Sequence, residues 1–111
     1  APIPCGANIR NFDLPIVNRL NKKYNVGKLF NYEVVDIREL AFYWLSWDTS
    51  LHSRSMDNLR KYFGISDINA HDAWKDVEDS AEIISRFLKL HKKLFADIKF
   101  KGAFKRKVSV A

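Results

Sequence analysis

Cysteine is almost missing from this sequence. Cys5 is the only one among 111 residues, which excludes an intrachain disulfide and a thiolate-rich metal site. No run of about 18 apolar residues exists to span a bilayer, and Ala1-Pro2-Ile3-Pro4 has neither the charged start nor the apolar stretch of a signal peptide. The expectation is a soluble protein of a reducing, cytoplasmic compartment, without a membrane partner. Internal repeats, low-complexity segments and interdomain linkers are also lacking. The chain does not begin with Met but in what reads as a strand entering a loop. Removal of the initiator and trimming from a longer protein account for that start equally well.

What is present suits one folded core. Hydrophobic residues make up 47% and aromatics 14%, with three tryptophans and eight phenylalanines to fill an interior. Nineteen Lys and Arg against thirteen Asp and Glu give a formal charge of +6, which favours a polyanionic partner by long-range attraction. Much of the excess sits at Lys22, Lys23, Lys92 and Lys93 and in the end of the chain, so that 96–111 reads as a solvated basic tail.

Hydrophobic spacing divides the chain. Residues 2–7 suit a brief edge strand limited by its prolines. Leu14, Val17, Leu20 and Tyr24 predict a helix over 13–24, with Asn11 or Phe12 at its entrance and Gly27 past its end. Residues 28–35 have the bulk of a strand that Asp36 closes before a helix over 38–47, and 48–55 is a polar loop. Ser55 caps a short helix, 56–63, that Gly64 ends. Ala73, Val77, Ala81, Ile84, Phe87, Leu88, His91, Leu94 and Phe95 then form one stripe, predicting an amphipathic helix over 73–95. This α/β order is short of strands: two do not make a stable sheet, so other strands must complete it.

Two constellations carry chemistry. One is Gly6-Ala7-Asn8-Ile9-Arg10-Asn11-Phe12-Asp13-Leu14-Pro15; the other is His71-Asp72-Ala73-Trp74-Lys75-Asp76-Val77, followed by Asp79. Residues five apart on a helix lie about 140° around its axis, so His71 and Asp76 converge only if His71 precedes the helix. Asp72, as N-cap, would put it there. Each acid has a plain alternative role, since an Asp near a helix start is ordinarily a cap or a partner of the helix dipole. Asp36 is assigned such a structural role, His52 and His91 have no acid at ligand spacing, and Trp44, Trp47 and the phenylalanines of 87–95 read as core.

In combination and order, over roughly residues 3–95, these motifs resemble the later half of the RNase H-like 3′-to-5′ exonucleases of the DEDDh type. The resemblance implies an incomplete RNase H-like α/β fold: a C-terminal half with a remnant of a mixed sheet, flanking helices and a single partial exonuclease domain over 1–111. It implies metal ligation by Asp13 and Asp76 for Mg²⁺ or Mn²⁺, two ions in the complete site. His71 becomes the general base, and Asn8, Asn11 and Phe12 contact the terminal nucleotide of a single-stranded DNA or RNA 3′ end. The chemistry suits the residue types, because hard oxygen ligands shield the phosphodiester while a neutral imidazole accepts a proton from water.

The family's first motif, an Asp-x-Glu pair on the first strand, has no counterpart before Asp13. Asp76-Val77-Glu78 lies on the last helix and cannot substitute. Two carboxylates and one imidazole hold Mg²⁺ poorly, so the chain alone is expected to be inactive, with an N-terminal segment or another chain supplying the rest. The alternative is a non-catalytic basic nucleic-acid-binding or interaction module.

Overall fold

Two proline residues near the start set how much sheet can form. The structure, a computed structural model, describes residues 1–105. Strand β1 is Cys5–Gly6 and strand β2 is Val35–Asp36; they pair in parallel, Cys5 with Val35 and Gly6 with Asp36. The strands expected over 2–7 and 28–35 are therefore shortened to two residues each. Pro2 and Pro4 accept bonds from Asn31 N (2.8 Å) and Val35 N (3.0 Å), yet neither has an N–H to donate, so the ladder cannot extend toward the N-terminus. On the other side Asn31 turns its side chain back to Glu33 N at 3.0 Å, bending the chain out of strand geometry. The expected mixed sheet is a two-stranded parallel one among the described residues.

The remaining elements are helices: α1 (Asp13–Lys23), α2 (Ile37–Leu45), α3 (Met56–Phe63), α4 (Ala73–Ile98) and α5 (Phe100–Ala103). The protein is thus a mixed α/β structure, mostly helical. Local chemistry accounts for the boundaries. Asp36 caps α2 by accepting from Arg38 N, and Ser55 caps α3 by accepting from Asn58 N. Gly64 ends α3 with φ +69°, a left-handed conformation that a side chain would oppose. Asp72 caps α4 through Trp74 N and Lys75 N. Helix α4 runs three residues past the expected 95 and α5 follows it, so part of the expected basic tail is helical; 106–111 lies outside the described residues.

The core gathers where α2, α3 and α4 meet: Ile37, Ala41, Leu59, Ile83, Ile84 and Phe87 are buried together, with Phe63 edge-on to Phe87 at 5.5 Å. Each of these side chains other than the small Ala41 contributes about 1.5–3 kcal/mol of burial. Behind the sheet, Gly6 allows close approach, since a Cβ there would lie 2.6 Å from Ile9 Cγ2. Much of the apolar surface is left over. Val77, Leu88 and Phe95 of the α4 stripe are exposed, as are Trp44 and, at 95%, Trp47, which had read as core. The reason is a shortage of layers. Helix α2 spends Ile37 and Ala41 on α4, Trp44 reaches only the edge of His91 at 5.0 Å, and Trp47 lies past the helix end. The radius of gyration, 17.5 Å, exceeds the roughly 13 Å of a compact chain this long, because α4 projects beyond the core. None of the helices described is long and apolar enough to cross a membrane.

Candidate functional site

Asp36 organises the approach to the site. Its side chain is 2% exposed and reaches back across the sheet to accept from Asn8 N (2.9 Å) and Arg10 N (3.2 Å) as well as from Arg38 N (3.0 Å). One carboxylate thereby caps α2 and ties down the loop that follows β1, and this fixes where α1 begins. Arg10 adds a fork to Glu39, at 2.7 and 3.1 Å. Asp13 is the first residue of α1, and its carboxylate has no side-chain hydrogen bond among the described residues.

A cavity of about 480 Å³ opens between β1, α1, α3 and the start of α4. Asp13, His71 and Asp76, separated by up to 63 residues in sequence, all line it, together with Arg60 and Ser80. His71 stands ahead of α4 with φ +73°, outside the helix as the angular argument requires, and Asp76 lies in the first turn. The two are directly linked: His71 N donates to Asp76 Oδ1 at 3.3 Å. The imidazole itself is 80% exposed and leans toward Asp57, with Nε2 3.8 Å from Oδ2. Asn8 and Asn11 do not line this cavity. They face a neighbouring cleft of about 390 Å³ with Arg38, Phe42, Tyr43 and Arg54, while the Phe12 ring is exposed at the N-terminus of α1. The left-handed turn at Asn8, φ +55°, separates the two walls.

The side chain with most influence on the site is one that sequence reasoning passed over. Arg60 is 1% exposed and donates to Asp79 Oδ2 at 2.7 Å, to Asp57 Oδ1 at 3.2 Å and to Asp76 Oδ1. Lys75 closes the network on Asp79 Oδ1 at 2.6 Å. Burial pushes the Asp79 carboxyl up, but the bonds from Lys75 and Arg60 outweigh it and hold it below the usual carboxylate range. For Arg60, burial opposes the charge, whereas the bonds it donates to Asp79 and Asp76 sustain it and raise the pKa. The signal was readable. Met56, Leu59, Arg60 and Phe63 fall on one stripe of α3, so an arginine stood where an apolar residue was expected and needed buried acids to accompany it.

As a cation site the arrangement is incomplete. Asp13 and Asp76 are suitable hard donors, but Asp76 Oδ1 is already taken by Arg60 and His71 N, leaving Oδ2 without a protein donor among the described residues. A buried guanidinium beside it also repels a divalent ion. Among the described residues no group of three or more His, Cys, Asp or Glu side chains could hold a metal ion. The residues present do not by themselves fit Mg²⁺ or Mn²⁺.

Comparison with protein-family models, with curated proteins and with solved structures returns no match.

Proposed function

We propose that this chain is the C-terminal part of a metal-dependent 3′-to-5′ exonuclease domain of the RNase H-like DEDDh type, acting on single-stranded DNA or RNA in the cytoplasm. The observation that carries the reading is the shared cavity, since Asp13, His71 and Asp76 come from two distant motifs and border one space. In this reading Asp13 and Asp76 supply two of the carboxylates, and Mg²⁺ or Mn²⁺ binds only once a further segment adds the Asp-x-Glu pair. His71 stands at the mouth, open to water, where an imidazole can accept a proton. Arg60 keeps the Asp76 carboxylate in one orientation.

The need for a further segment also has structural support. Among the described residues the sheet has two strands, and an apolar groove beside Cys5, floored by Ala81, Ile84 and Leu88 and rimmed by Lys89 and Lys92, lies open next to the cavity. A strand laid along β1 would cover the floor of that groove, leave the lysine ammonium groups of its rim to solvent, and bring its acids to the cavity edge. The alternative, a non-catalytic nucleic-acid-binding module, draws on the engagement of Asp76 by Arg60.

Release of mononucleotides from a 3′-labelled single strand in Mn²⁺ separates the two. The chain alone is expected to release none, whereas the chain completed by a segment that carries the Asp-x-Glu strand releases them, and Asp13→Asn abolishes this. Release by the isolated chain, or activity indifferent to Asp13→Asn, overturns the proposal.

A further inference from the structure

The formal charge is not spread over the molecule. Residues 1–85, which form the sheet, the cavity and all of the buried core cluster except Phe87, hold ten Lys and Arg against twelve Asp and Glu, a formal −2. Residues 86–105 hold seven against Asp97 alone, a formal +6, equal to that of the whole chain. These twenty residues are the projecting half of α4 and all of α5. The polyanion attraction implied by the overall charge therefore belongs to the arm and not to the cavity.

The cations are also arranged on the arm. At 100° per residue, Arg86, Lys89, Lys92 and Lys93 fall within a sector of about 120°, opposite the buried Ile83, Ile84 and Phe87. Within it Arg86 is committed, donating to Glu82 at 2.9 Å and to the Phe63 carbonyl. Lys89, Lys92 and Lys93 are exposed and make no ion pair among the described residues; the same holds for Lys99 and Lys101 just beyond. An unpaired row of ammonium groups on a rigid helix is a site for regularly spaced anions.

Two anionic polymers or surfaces could meet such a row. A helix lying on a lipid surface needs a free apolar face to enter the acyl layer. Leu88 and Leu90 are exposed on the two flanks of the sector, and Lys89 and Lys92 rim a groove with Ala81, Ile84 and Leu88, but the side opposite the cations is spent inside the protein: Ile83, Ile84 and Phe87 lie in the core, and farther out Phe100 folds against both His91 and Phe95 at 5.3 Å. A polymer recognised through its phosphates fits better.

We infer that the Lys89, Lys92 and Lys93 face of α4, extended by the exposed Lys99 and Lys101 that follow it, is a second nucleic-acid contact, which holds the sugar-phosphate backbone of a single strand away from the cavity. The choice of nucleic acid as the polyanion rests on the proposed function; the location of the contact does not. Backbone contacts of this kind are sequence-independent and give the protein a grip on its substrate that persists as the 3′ end is exchanged.

The test is fluorescence anisotropy of a labelled oligothymidylate with the chain as it stands, in EDTA. About four phosphate contacts give a salt slope near −2.8, so affinity should fall about 50-fold between 50 and 200 mM salt. The triple variant Lys89→Glu, Lys92→Glu, Lys93→Glu, all exposed positions, should keep its helical signal and lose at least about tenfold in affinity with a shallower slope. The double variant Lys22→Glu, Lys23→Glu, equally exposed but at the end of α1 and away from both arm and cavity, should stay within threefold of the parent, and EDTA keeps the result independent of any nuclease assay. Affinity within twofold of the parent in the triple variant, or as large a loss in the Lys22, Lys23 variant, overturns the proposal. Equal binding of polyglutamate or of phosphatidylserine vesicles overturns it as well.

Discussion

Replacing Arg60 by Met removes the only fully enclosed cation among the described residues and leaves Asp79 in place. The magnitude follows from who loses a partner. Asp57 and Asp76 are half exposed, and water can replace their bonds to the guanidinium at a cost of about 0–1 kcal/mol each. Asp79, whose side chain is 6% exposed, has no such recourse and retains only Lys75. Breaking one side of a buried pair costs about 3–5 kcal/mol, which is a large share of the 5–15 kcal/mol that holds a small domain folded. Urea denaturation should register that loss. Adding Asp79→Leu should restore most of it, because a pair of apolar residues replaces a pair of charges at little net cost.

The acid limb gives a second readout of the same variant. The depressed Asp79 pKa means that its contribution is fully present above the unfolded value of about 3.9 and is lost as pH falls through the lower folded value. In Arg60→Met, burial acts with less opposition, so the acid transition should move to higher pH. A loss below about 1 kcal/mol in the single variant, or no recovery in the double, would refute the account of Arg60 as the buried centre of the network.

Three further outcomes are expected. Asp36→Ala removes the acceptor of three backbone N–H groups and should cost about 2–4 kcal/mol by chemical denaturation; hydrogen exchange should show the loop of residues 8–12 opening before the helices. His71→Gly relieves a left-handed backbone at a non-glycine residue, so thermal denaturation should find it about 0.5–1 kcal/mol more stable, while nucleotide release by the completed domain is lost. Gly64→Ala forces a Cβ into the left-handed C-cap of α3 and should destabilise by about 1 kcal/mol.

Helices α2, α3 and α4 were legible because each is marked twice, by a periodic stripe and by a cap, whereas α1 was marked by its stripe alone, with Phe12 making no side-chain cap bond, and the short α5 fell in the expected tail. Ser55 and Gly64 bracket α3 and Asp72 opens α4 where the pattern predicts. The strands were not, since a run of bulky residues such as 28–35 records apolar content but not whether a neighbour can donate to it, and Pro2 and Pro4 cannot. Burial misled for a related reason. Trp44 and Trp47 have the composition of core, yet burial requires a second layer, and along α2 there is only α4.

At the site, Asp13, His71 and Asp76 could be named from their motifs, and the structure brings them to one cavity. Asn8, Asn11 and Phe12, read from the same motif as Asp13, face elsewhere, because one left-handed residue at Asn8 turns the loop. Arg60 escaped notice because a charged residue on an apolar stripe looks like an error in the pattern until its acidic partners, 16 and 19 residues away, are seen around it.

Anomalous scattering from Mn²⁺, in crystals of the chain completed by a segment that carries the proposed Asp-x-Glu strand, tests the central claim most directly. The account predicts density between the Asp13 and Asp76 carboxylates, within reach of an acid from the added segment and absent in Asp13→Asn. Ions bound elsewhere, or none with the added segment in place, would contradict it.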